Sequence, residues 1–146
     1  MKKVAFWLVA IIIGASTLVS CDKEEKVESI VEKVWDFSQS HPDGFTIDVR
    51  TMTEPTEGIA VSYAATQNSH SRESLTFVVN HALEHDGYVG GWLDTESGLY
   101  YFDSTKIFTE DQLEEALQFA RENGQSAVYV LSTGEEIRVD GLQMAA

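Results

Sequence analysis

Between Ile59 and Leu131 the hydrophobic pattern switches repeatedly between two periods, and that succession constrains the fold more than any figure of composition. Ile59, Val61 and Tyr63 alternate with small or polar neighbours, the two-residue period of a half-buried strand. Leu75, Val78, Val79, Ala82 and Leu83 then take helical spacing, with Ser69 or Ser71 placed to cap the start and Asp86-Gly87 placed to end it. Tyr88-Val89-Gly90-Gly91-Trp92-Leu93-Asp94 and Leu99-Tyr100-Tyr101-Phe102-Asp103 flank a turn and predict a hairpin. The Gly90-Gly91 pair predicts a bulge or a close backbone approach. Leu113, Ala116, Leu117 and Ala120 return to helical spacing behind the capping box Thr109-Glu110-Asp111-Gln112. Residues 127–131 form one more apolar strand. Strand, helix, strand, strand, helix, strand is the split βαβ order, which predicts an antiparallel sheet with two helices on one face.

The flanks extend this unit. Phe45, Ile47 and Val49 alternate with polar residues as an additional strand before it, and residues 136–139 supply another after it. Upstream, Val27, Ile30, Val31, Val34 and Phe37 mark one stripe of an amphipathic helix, which Pro42 and Asp43-Gly44 stop. The expected fold class is therefore α+β, similar to a ferredoxin-like sandwich extended by flanking strands and preceded by an amphipathic helix. The expected segments are 27–43 for the helix and turn and 44–140 for the domain, with the last residues frayed.

Residues 1–20 have the three parts of an export signal: Lys2 and Lys3, an apolar run over 4–13, and small residues before Leu18-Val19-Ser20-Cys21. At about 1.5 Å per helical residue the run barely crosses a hydrocarbon core of roughly 30 Å, which favours a removable signal over a permanent span. Leu-Val-Ser-Cys resembles the lipobox of bacterial lipoproteins, and the resemblance implies cleavage before Cys21 and diacylglycerol on its thiol. Residues 21–26 then form a lipidated tether. Within it Cys21-Asp22-Lys23-Glu24-Glu25 resembles the Bacteroidota-type surface export signal, with Lys23, Glu24 and Glu25 at its constrained positions. That resemblance implies an outer-membrane lipoprotein facing the cell exterior. The folded domain also looks loosely like small α+β domains of phage and mobile-element proteins, from which no activity carries over.

Ten basic residues less Lys2 and Lys3 leave eight against 24 acidic ones, a net charge of −16 after cleavage. A chain so acidic is a poor ligand for nucleic-acid phosphates or anionic headgroups, which require basic patches. Cys21 is the single cysteine, so the domain is held by packing and not by disulfides.

No catalytic signature stands out. His81 and His85 lie one helical turn apart beside Asp86, yet no second ligand pair stands at a telling distance, so no metal or cofactor is assigned. Ser69, His70, Arg72 and Glu73 are close in sequence without a glycine-flanked elbow around any serine. Asp94, Glu96 and Asp103 read as a solvated hairpin rim. The strongest recognition candidates are aromatic: Trp92, Tyr88, Tyr100 and Tyr101, joined by His70 from the polar loop over 66–70. Strand alternation puts about half of such residues under the helices. The sequence thus leads to a non-catalytic binding or accessory domain, anchored to the membrane by lipid and contacting a protein partner. Two alternatives stand beside it: a small hydrolase or nuclease-like enzyme using His70 or His81 with Arg72, and an immunity-type inhibitor of a basic toxin.

Overall fold

The computed structural model describes residues 16–140, with side chains from Cys21 onward. Most of the expected leader and the last six residues therefore lie outside the described residues. Helix α1 (Ser16–Ser40) is followed by β1 (Phe45–Asp48), β2 (Ile59–Ser62), α2 (Arg72–Glu84), β3 (Tyr88–Asp94), β4 (Leu99–Phe108), α3 (Leu113–Glu122), β5 (Ala127–Val130) and β6 (Glu135–Arg138). Six strands form one sheet in the order β1-β3-β4-β2-β5-β6, every neighbouring pair antiparallel. Its central four strands carry the split βαβ arrangement, and β1 and β6 are the added edges.

Local chemistry sets the element ends. Ser71 accepts from the Ser74 amide while the Ser74 hydroxyl accepts from the Ser71 amide, a reciprocal cap at the start of α2. Gly87, at φ +85°, closes α2 by donating to the Ala82 carbonyl, a left-handed position that a side chain would strain. The Thr109 and Gln112 capping box forms as the spacing predicts and opens a short 3-10 turn that runs into α3.

Register assigns the sheet faces. Phe45, Ile47, Val89, Phe102, Ile59, Val61, Phe108 and Val128 all point to the helix side. They sort into two cores. One joins α1, β1, α2, β3 and Phe102; the other joins β2, α3, β5, Phe108 and Val139. Val27, Ile30, Val31 and Val34 of α1 are buried in the first core, and Trp35 and Phe37 reach Phe102 and Phe45. The segments expected at 27–43 and 44–140 thus share one core, and α1 joins α2 and α3 on the same face.

Gly90-Gly91 makes no bulge: pairing runs unbroken from Tyr88 opposite Thr105 to Asp94 opposite Leu99. Side chains explain Gly91 instead. A Cβ there would stand 2.5 Å from the Phe45 ring and 2.8 Å from that of Tyr100.

Candidate functional site

The helix-free face of the sheet gathers the exposed aromatics. Trp92, Leu99 and Tyr129 are three of the five large hydrophobic side chains left exposed among the described residues, and register puts all three on this face. The hairpin between β3 and β4 is set by Asp94, whose carboxylate accepts from the Glu96 and Ser97 amides and the Ser97 hydroxyl. Those bonds hold the Asp94 carboxyl below its usual range. The resulting register places Trp92 opposite Tyr101, their rings stacked at 5.0 Å and 21°.

His70 arrives from a separate segment. Beyond Ser62 the chain leaves the β2 ladder but stays beside β4. The Ser104 amide donates to Thr66 Oγ1, the Phe102 amide to the Ser69 carbonyl, and the Ser69 hydroxyl to the Thr66 carbonyl. Thr66 and Ser69 are buried by this pairing, which satisfies backbone groups that β4 would otherwise leave open. The next residue, His70, meets the Tyr101 ring edge-on at 5.7 Å. Trp92, Tyr101 and His70 thus form one aromatic shelf.

Asp103 lies beside that shelf. It shares the face of Tyr101, stands opposite Gly90, and has the Trp92 indole near enough to favour its charged form. Burial raises its carboxyl to about 6, against the opposing pull of the indole. Gly90 contributes by having no side chain: a Cβ there would meet Thr105 Oγ1 at 3.0 Å. The site therefore combines flat aromatic surface with one partly desolvated carboxyl, a pairing suited to recognition. The sequence alone assigns Asp103 to a solvated rim. Its position two residues from Tyr101 on β4 was the available signal, since alternation puts both on one face.

Tyr100 faces the other way. It packs on Phe45 and Phe102, and its hydroxyl donates to the His41 carbonyl at 2.7 Å. Burial pushes its phenol to about 12. Tyr88 shares the open face with the shelf.

A second polar cluster lies on the helix side, between the two cores. His81 Nδ1 is 2.9 Å from Ser104 Oγ, His81 and His85 stack at 3.8 Å, and the Tyr63 hydroxyl donates to Asp86. Burial, reinforced by the His85 ring, lowers the His81 imidazole, while burial and Asp86 raise the Tyr63 phenol. Ser104 is fully buried, so no substrate reaches its hydroxyl in this conformation. His85 Nδ1 is taken up by the His81 carbonyl at 2.7 Å. Among the described residues no three His, Cys, Asp or Glu side chains gather for a metal.

The residues of the hydrolase alternative take separate contacts. His70 is on the open shelf, His81 is in the seam between the cores, and Arg72 pairs with Glu28 of α1 at 3.1 Å.

At the other end of α1, Cys21 is exposed. It stands six residues before the first buried position, Val27, about 9 Å along a helix. The expected tether over 21–26 is helical. Lys23 lies 3.8 Å from Glu84 across a solvated gap, and Glu24 and Glu25 are exposed. No described helix is long and apolar enough to cross a membrane. No protein-family model, curated protein or solved structure matches this chain.

Proposed function

We propose that the protein is a lipid-anchored outer-membrane domain, facing the cell exterior, that binds a protein partner without catalysis through the open face of its sheet. The observation that carries the binding reading is the convergence of Trp92, Tyr101, His70 and Asp103 from three separate chain segments. Stability alone favours an apolar or fully solvated residue where Asp103 stands, because a partly buried carboxylate with one donor is costly. An exposed Trp stacked on a Tyr, with a carboxyl beside it, has the composition of an interface hot spot. The anchor reading draws support from the lipobox residues and from the exposed position of Cys21. Two or more acyl chains on that residue give stable retention without a spanning helix.

A photoreactive amino acid introduced at position 92 tests this in intact cells. One discrete adduct, absent when the same amino acid replaces Phe77 on α2, is the expected result. Phe77 is the fair comparison because it is 54% exposed, slightly more than Trp92 at 48%. Equal adducts at both positions, or none at position 92, would remove the open face as the binding surface.

A further inference from the structure

We propose that the open face recognises an arginine side chain presented by a basic protein partner, with the guanidinium lying on Trp92 and pairing with Asp103. This deepens the preceding assignment of the open face as the binding surface and rests on it.

Charge complementarity is the first argument. Strand register sends Asp48, Asp94, Asp103 and Glu136 to this face. Among the described strand residues the one cation there is Arg138, on the far edge strand and 3.7 Å from Glu136. On the shelf's own strands this face therefore carries Asp94 and Asp103 and no cation, since Lys106 of β4 points to the helix side. A net charge of −16 after cleavage, from eight basic and 24 acidic residues, steers a basic partner toward the domain as a whole.

Donor accounting is the second. A carboxylate accepts about four hydrogen bonds, and the Trp92 indole is the one side-chain group that acts on the Asp103 carboxyl as a donor. Thr105 donates to the Asp103 carbonyl and Ser69 to that of Thr66, so neither hydroxyl donates to the Asp103 carboxylate. A ligand must then bring donors, and bring them together with a flat surface for the indole. Guanidinium does both, being planar, weakly hydrated and rich in N–H groups, whereas an ammonium is a strongly hydrated point charge.

The test uses the full chain in detergent micelles and dye-labelled octapeptides containing two arginines, two lysines or two citrullines, citrulline being the neutral isostere of arginine. Fluorescence anisotropy should give the arginine peptide a Kd at least tenfold lower than the citrulline peptide. Asp103→Asn should erase that difference, and Trp92→Ala should weaken arginine binding at least tenfold. Glu114→Gln, which removes an equal charge from exposed α3, and Phe77→Ala should leave binding unchanged. Equal binding of the citrulline peptide, retention of the preference in Asp103→Asn, or an equal loss in Glu114→Gln would overturn the proposal. If maltohexaose binds in a Trp92-dependent way and the peptides do not, the arginine assignment falls while the open face stands. If binding of no probe depends on Trp92, both fall.

Discussion

Asp103→Asn should make the protein more stable at neutral pH and leave its stability unchanged in acid. The folded carboxyl sits at about 6 against an ordinary value of 3.8, mainly through burial. The native state therefore holds this proton more tightly than the unfolded chain. Stability linked to Asp103 is complete below about pH 4 and is lost as pH rises through about 6. A tenfold change in proton affinity is about 1.4 kcal/mol, so the loss reaches ~3 kcal/mol at pH 7.5. Asparagine keeps a carbonyl oxygen and the same shape beside the Trp92 indole and never ionises, which removes that loss. Urea unfolding of variant and wild type at pH 3.5 and 7.5 measures it, since contributions of the other carboxylates cancel between the two proteins. With an m-value of about 1.5 kcal/mol per molar urea, the variant midpoint should lie ~2 M above wild type at pH 7.5 and level with it at pH 3.5. The same offset at both pH values, or a more stable wild type at pH 7.5, would refute the assignment of a strained carboxyl.

Three further outcomes follow from the packing and the anchor. Gly91→Ala should cost about 1–3 kcal/mol by urea unfolding, because its Cβ would lie 2.5 Å from the Phe45 ring in a closed layer. Val31→Ala and Val34→Ala should each cost about 2 kcal/mol, since both side chains are fully buried between α1 and the sheet; a change below 0.5 kcal/mol would mean that α1 does not dock in solution. Cys21→Ala should abolish metabolic labelling with tritiated palmitate and release the protein from the membrane fraction, whereas retained label would place the lipid elsewhere.

The elements were legible because they depend on neighbours in sequence. Helical spacing of Leu75, Val78, Val79 and Ala82, the caps at Ser71 and Thr109, and alternation through β4 each involve residues within a turn of one another. Strand alternation likewise anticipated that Tyr100 and Tyr101 part company, without telling which face the helices cover. The site was only half legible for the same reason. Trp92 and Tyr101 announce themselves as aromatics on a hairpin, but Asp103 becomes unusual only when register sets it opposite Gly90 and beneath the Trp92 indole. His70 reaches Tyr101 because Thr66 and Ser69 bond to β4 about 30–40 residues away in sequence, contacts with no sequence period to reveal them. Gly91 is a related case: its neighbours Phe45 and Tyr100 come from two other strands, so a glycine pair on its own reads as a bulge or a close backbone approach and does not name the rings that crowd it.

The central claim, that the domain is displayed on the outside of the cell by its anchor and sorting residues, is tested most directly by protease shaving of intact cells. The native chain is compared with one in which Lys23, Glu24 and Glu25 are all alanine, and a periplasmic protein serves as the integrity control. Digestion of the native domain with protection of the triple variant is the predicted result. Protection of both, with both digested once the outer membrane is opened, would contradict surface display and place the open sheet face toward the periplasm.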